Sequence, residues 1–260
     1  MRRVLVIAAV LLAVAVGALV RLDGLFVEPG AQRIDSLAAE LGMQTLLCVF
    51  AHPDDEVLVA GALEDATRRG VRVHMITATR GEKGTPDVSV SGAEELGRVR
   101  EAELREHGRV LSLVEQIVWS LPDRDVQLHL EKVTADLVRE IRRIRPDTLM
   151  TFHPASGYTY HPDHRAVGSA ATAAVEQTGG EVRLVYVLAP RGVMGSLGGE
   201  PGAQVAANQP APTYAMPIDP EIKLRGWRIH ASQAGYVRRA WKVPPRLLYF
   251  FFDEEHFWVP

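Results

Sequence analysis

From residue 45 to residue 188, short apolar runs alternate with longer stretches in which apolar and charged positions recur at helical spacing. Thr45–Phe50 (T-L-L-C-V-F) is a continuous apolar run, which predicts a strand buried on both faces. Residues 57–69 have helical character and stop at Gly70. Residues 71–77 (V-R-V-H-M-I-T) are β-branched and predict a second strand, and the Gly-, Pro-, Asp- and Ser-rich stretch 80–92 predicts a loop. A charged amphipathic helix is expected over 93–108 and a short strand over 116–120. Leu130, Val133, Leu137, Ile141 and Ile144 form one stripe, so 129–144 reads as a helix that ends before Pro146. Thr148–Phe152 (T-L-M-T-F) is a further buried strand. The Ala-rich stretch 163–178 is a helix closed by Gly179 and Gly180, and 182–188 is a strand.

This alternation predicts an α/β domain over residues 40–260, with a mostly parallel sheet and helices on both faces. Residues 190–220 show little periodicity and read as a long surface excursion. Helix returns over 221–235, and the apolar run 247–252 reads as a last strand. There is no G-x-G-x-x-G and no Walker loop, so nothing supports nucleotide binding.

The start of the chain is different. Residues 4–20 carry no charge, and they follow Arg2 and Arg3 and precede Arg21. Two expectations compete for residues 1–24: an uncleaved signal anchor, or a signal peptide cleaved near the small residues Val16, Gly17 and Ala18. A buried core element is the plain alternative. Both targeting expectations place the domain outside the cytoplasmic membrane, either anchored to it by a transmembrane helix or secreted.

The 260 residues are 47% hydrophobic and 23% charged, the proportions of a globular protein rather than a disordered one. Cys48 is the single cysteine, so an intrachain disulfide and a cysteine-based zinc site are excluded. The net charge of −3 argues against a nucleic-acid partner. Removing Arg2, Arg3 and Arg21 from the 29 basic residues leaves 26 against 32 acidic ones, a net −6 that makes a polyanionic substrate a poor fit.

The chemistry gathers at strand ends. Ala51-His52-Pro53-Asp54-Asp55-Glu56 follows the first buried strand directly, and His161-Pro162-Asp163-His164 follows the strand Thr148–Phe152 through an aromatic loop. Alone, the first motif reads better as helix capping, and the second reads equally well as a capped helix with surface histidines. Two His/Asp clusters, each after a buried strand, fit a metal site assembled across the carboxyl edge of a parallel sheet. Imidazole and carboxylate suit Zn²⁺, which in catalytic sites keeps three protein ligands.

The A-H-P-D-D-E and H-P-D-H runs resemble the PIG-L (LmbE-like) family of metal-dependent de-N-acetylases. So do T-R-G-E-K-G at 79–84, E-L-G-R-V-R-E-A-E-L at 95–104, and Lys223 with His230-Ala231-Ser232-Gln233. The resemblance covers residues 46–233. It implies a Rossmann-like fold and hydrolysis of an N-acetyl group from an N-acetylglucosamine-type sugar or glycolipid. It implies His52, Asp55 and His164 as ligands of Zn²⁺, with Fe²⁺ as an alternative ion. It further implies Asp54 as general base, His161 as the second catalytic group, Arg100 as a substrate contact and Asp163 as a support for one of the rings. A helical salt bridge from Arg100 to Glu101 or Glu103 is the plain alternative for that residue. Glu82 reads as a solvated residue or a support of the site loop, and His153 as pocket lining or a variant ligand. His74, His107, His129 and His256 read as structural or surface residues. Two other functions stay open: a deacylase or amidase with the same metal site but a different amide, and a binding protein whose site has decayed.

Overall fold

The computed structural model describes Gly17 and residues 20–260. Eight strands form one sheet: β1 (Gln32–Arg33), β2 (Thr45–Phe50), β3 (Arg72–Thr79), β4 (Glu115–Leu121), β5 (Thr148–Phe152), β6 (Arg183–Leu188), β7 (Tyr214–Pro217) and β8 (Glu254–Trp258). Their order is β1-β7-β8-β6-β5-β2-β3-β4. The five strands from β6 to β4 are parallel, while β8 runs antiparallel to both β6 and β7. The sheet is therefore mixed but mostly parallel.

Chain order reverses between β2 and its neighbour β5, which pair from Leu46 opposite Thr148 to Val49 opposite Thr151. That is a topological switch point, where connections leave to opposite faces and open a crevice at the carboxyl ends of the strands. Both His/Asp motifs start there.

The helices are α1 (Leu37–Leu41), α2 (Ala60–Arg68), α3 (Ala93–Val110), α4 (Leu130–Ile144), α5 (Gly157–Tyr160), α6 (Pro162–Gln177), α7 (Arg191–Leu197), α8 (Gly199–Asn208), α9 (Pro220–Ile229), α10 (Tyr236–Trp241) and α11 (Pro245–Phe251). Alternate residues of β2 face opposite cores. Leu46, Cys48 and Phe50 pack with α2, α3 and the C-terminal helices, and Leu47 and Val49 pack with α4 and α6. The predicted stripe of α4 is buried at Val133, Leu137, Ile141 and Ile144, while Leu130 at its start is exposed.

Two predicted elements change. The stretch 190–220 is not an irregular excursion but two helices, α7 and α8, followed by strand β7, which lies between β1 and β8. The apolar run 247–252 is helix rather than strand. Pro245 sits in its first turn and presets a helical φ, while β8 follows at Glu254. A short apolar run does not distinguish the two states by periodicity, and the proline is the arbiter.

The membrane expectation is corrected. A transmembrane helix or signal anchor needs about 20 consecutive apolar helical residues. Among the described residues no helix is long and apolar enough to cross a membrane. The apolar run itself lies outside the described residues except at Gly17 and Val20. Nothing in the fold supports anchorage to a membrane, or secretion, as the domain's destination. The chain that follows the run is packed on the domain. The Phe26 ring lies 6.0 Å from that of Phe251, and Glu28 is ion-paired with Arg191 at 2.8 Å.

Candidate active site

The turn after β2 is built around an unusual backbone. Asp54 has φ +108°, a conformation that non-glycine residues rarely adopt and that costs free energy unless neighbours enforce it. Here they do. The Asp54 N–H donates to Glu56 Oε2 at 3.1 Å, and the buried Arg100 donates to the carbonyl of Pro53 and to Gly81 O. The turn points Asp55 back under β2, where its Oδ2 accepts from the backbone N–H groups of Ala51 (3.0 Å) and His52 (2.9 Å). That leaves Oδ1, which lies 3.1 Å from His164 Nε2.

The other half enters from β5. His161 is the N-cap of α6, its Nδ1 accepting the Asp163 N–H at 3.2 Å, and Pro162 occupies the first helical position. His164 sits two residues further into the first turn, stacked on Phe152 with ring centroids 4.2 Å apart.

Hydrogen-bond partners fix the tautomers. His164 Nδ1 faces the carbonyl of Gly157 at 2.8 Å, and a carbonyl only accepts, so Nδ1 carries the proton. His52 Nε2 faces Asp163 Oδ2 at 3.1 Å and Asp123 Oδ1 at 3.2 Å, so it carries the proton of that ring. The two remaining nitrogens, His52 Nδ1 and His164 Nε2, are then both lone-pair donors and stand 3.2 Å apart. In neutral rings that contact is repulsive, and a cation between them relieves it. Ligand atoms about 2.0–2.2 Å from a tetrahedral Zn²⁺ sit roughly 3.4 Å from one another. The separations here are 3.1 Å from His164 Nε2 to Asp55 Oδ1 and 3.2 Å from His52 Nδ1 to His164 Nε2, while the Asp55 oxygen nearest to His52 Nδ1 is the backbone-bonded Oδ2 at 3.8 Å. The residues present fit a divalent metal. His52, His161 and His164 also bring ring nitrogens within 4.8 Å of each other. The His161 Nδ1 is committed to its cap, however, and Asp55 offers the free carboxylate oxygen.

The electrostatics agree. Burial alone would pull the His52 imidazole down, but Asp123, Asp163 and Asp55 outweigh it and raise the ring to about 10, a measure of how strongly this pocket favours positive charge. Burial raises Asp55, yet the His164 and His52 rings more than offset it and its carboxyl is held below the usual range. Asp54 is pushed up to about 6, by burial first and by Asp55, against the pull of Arg100 3.1 Å away. His161 is lowered to about 4 by burial and by the two neighbouring imidazoles.

Every predicted site residue reaches one cleft of about 170 Å³ or its floor. His52, Asp54, Asp55, Arg100, His161 and His164 line it, and Asp163 lies beneath His52. Arg100 pairs with Asp54, not with Glu101 or Glu103. Glu82 is a support, accepting the Asp123 N–H at 2.8 Å. His153 lies away from the cleft, edge-on to Tyr186 and Trp258.

Sequence reasoning missed Asp123, which holds His52 and lines the cleft. Its signal was its place two residues past the end of β4, a third strand end on the same edge. It also missed the buried trio behind Asp54, where Glu56 Oε1 meets His107 Nδ1 at 2.7 Å and His230 Nε2 at 2.5 Å. Lys223 and Ser232 serve the same bracing. The Lys223 ammonium bonds Leu58 O and Glu255, and Ser232 bonds Glu103.

Residues 47–175 match the profile of the PIG-L family, described as GlcNAc-PI de-N-acetylase. A 1D-myo-inositol 2-acetamido-2-deoxy-alpha-D-glucopyranoside deacetylase of Rhodococcus jostii is 32% identical over 158 residues, 52% of this chain and 54% of that protein. The Mycobacterium leprae protein of the same name is 29% identical over 79% of this chain and 70% of its own length. The chain thus spans about half the length of the first of these relatives and more of the second. Among solved structures, the N,N'-diacetylchitobiose deacetylase from Pyrococcus horikoshii superimposes with a TM-score of 0.68 at 23% identity, covering 87% of each chain. At that identity the likeness shows the fold. The motifs, the switch-point site and the profile match converge: residues 47–175 of this chain are a PIG-L family domain.

Proposed function

We propose that this chain is a metal-dependent hydrolase that removes the N-acetyl group from an N-acetylglucosamine-type sugar, glycolipid or related conjugate. The observation that carries the proposal is the pair of facing imidazole lone pairs completed by the free oxygen of Asp55. The names of the relatives support the substrate class. The ligands would be His52, Asp55 and His164. A zinc ion held there supplies Lewis acidity, which makes water acidic near pH 7 and polarises an amide carbonyl.

The chain's own groups do the rest. Asp54 stands beside the proposed ligands on a turn held by Arg100 and Glu56. Raised to about 6, it is a carboxylate at neutral pH yet basic enough to take a proton from the attacking water. The Nδ1 of His161 is occupied as an acceptor, so its Nε2 carries the proton. That N–H is the donor for the oxyanion that forms when the amide carbon becomes tetrahedral. Asp163 and Asp123 fix the ring of His52, the support that orients metal-ligating histidines. Arg100 directs its guanidinium to Pro53, Gly81 and Asp54, and we assign it to holding the base. A decayed site is disfavoured because no proposed ligand or base is substituted.

The test is metal content of the purified protein together with acetate release from a panel of N-acetylglucosamine conjugates. Stoichiometric metal and release from at least one sugar are expected. Metal-free protein that is active, or no release from any conjugate, would overturn the reading.

A further inference from the structure

A second cavity adjoins the cleft, and nothing in the reaction described above uses it. It has a volume of about 300 Å³, within the size range of small-molecule sites. The two chambers share Leu58, Thr159, Trp227 and Tyr236. Trp227 and Tyr236 stack at that junction with centroids 6.0 Å apart. Beyond them the walls are Val193 and Met194 of α7, Trp241 of α10, and Leu248 and Phe252 from α11 and its end. Among the described residues no charged side chain lines the cavity, whereas the cleft carries His52, Asp54, Asp55, Arg100, Asp123 and Arg124. One pair of polar tips in the wall is satisfied internally, since Trp227 Nε1 donates to the Tyr249 hydroxyl at 2.6 Å. Water in such a chamber finds few partners, so an apolar group displaces it at little cost.

We infer that the cavity is a specificity subsite for an apolar substituent, an alkyl chain or comparable group, carried by the amide substrate whose reacting end lies in the metal cleft. The inference rests on the proposed hydrolase reading for that reacting end. The continuity of the two chambers and the change from charged to apolar lining are its own support. The same chemistry can enter on either side of the scissile amide, as an aglycone on the sugar or as a longer N-acyl chain.

Two substrate series separate these sources: alkyl glycosides of N-acetylglucosamine, and N-acyl glucosamines, each from one to eight carbons. Both are followed by release of the amine below their micelle concentrations. One series should show kcat/KM rising roughly fourfold per methylene until the cavity is full. Ala240 and Leu197 line the mouth and are exposed, so Ala240→Trp and Leu197→Asp leave the core intact. Both should flatten the slope while leaving turnover of the shortest substrate unchanged. The cavity is also read without turnover, by calorimetry of alkyl glucosides that lack an amide. Affinity should rise with chain length, with a negative heat-capacity change that Ala240→Trp abolishes.

Turnover of acetamido sugars with no chain-length dependence in either series overturns this inference and leaves the hydrolase reading standing. Chain-length-dependent binding without turnover of any substrate does the reverse. A slope unchanged in both variants, or no response in either assay, overturns it outright.

Discussion

His52 Nδ1 and His164 Nε2 face each other across 3.2 Å, and the outer nitrogen of each ring is already committed to an acceptor. A divalent cation held there would take both inner nitrogens and the facing Asp55 oxygen, so metal should stabilise the fold as well as serve the reaction. A ligand at a thousand times its dissociation constant adds about 4 kcal/mol. Chelation should lower the Tm of the wild type by several degrees, and Zn²⁺ should restore it. His164→Ala should bind no metal and melt at one temperature with or without chelator. A His164→Ala protein that retains metal would remove this residue from the ligand set.

Asp54 points into the cleft from the strained turn but is not needed to complete the ligand set. Asp54→Asn keeps the size of the side chain and removes the base. The variant should retain wild-type metal content while kcat falls by about 10²–10⁴-fold, the usual worth of a positioned general base. Asp55→Asn should behave differently and lose metal. Full activity in Asp54→Asn would refute the assignment of the base.

Asp163 does two jobs at once. Its Oδ2 lies 3.1 Å from His52 Nε2, and it also accepts from the backbone N–H groups of Arg124 (2.7 Å) and Val126 (3.1 Å), which position the loop carrying Asp123. Asp163→Asn keeps one acceptor and removes the charge behind the ring. Metal affinity should fall by about 10- to 100-fold, the cost typical of losing such a support. Competition against a chelator of known affinity measures it. Unchanged affinity would mean that Asp123 alone orients His52.

The legibility of the chain follows the length scale of each signal. Buried parallel strands write themselves as continuous apolar runs, and Thr45–Phe50 and Thr148–Phe152 match their strands residue for residue. The two His/Asp motifs were visible because each packs several site groups into a few consecutive positions. Asp123 was not, because it stands among Pro122, Arg124 and Asp125 with no second signal, and only the sheet order brings it beneath His52. His107 was read as a structural or surface residue. Its burial against Glu56 depends on α3 crossing behind the turn, a contact between residues 51 positions apart. The stretch 190–220 looked structureless because α7 and α8 are short and glycine-rich, and their burial comes from neighbours such as Leu25, whose carbonyl accepts from Val193.

One glycine sets how closely the two halves of the site approach. A β-carbon at Gly168 would stand 2.2 Å from the carbonyl oxygen of Phe152, and also 3.3 Å from the backbone nitrogen of Pro154. Both are main-chain atoms at the end of β5, so no side-chain rotation relieves the clash. Helix α6 must move, and it carries His164 and Asp163 with its cap His161. Gly168→Ala should therefore cost about 1–3 kcal/mol of stability, as overpacking does, and should weaken metal binding in the molecules that remain folded. The neighbouring Ser169 is exposed, and Ser169→Ala should change stability by less than about 0.5 kcal/mol. Denaturant titration of both variants, followed by metal analysis under native conditions, checks the pair. Equal effects in the two variants would show that helix propensity, rather than contact with β5, decides the outcome.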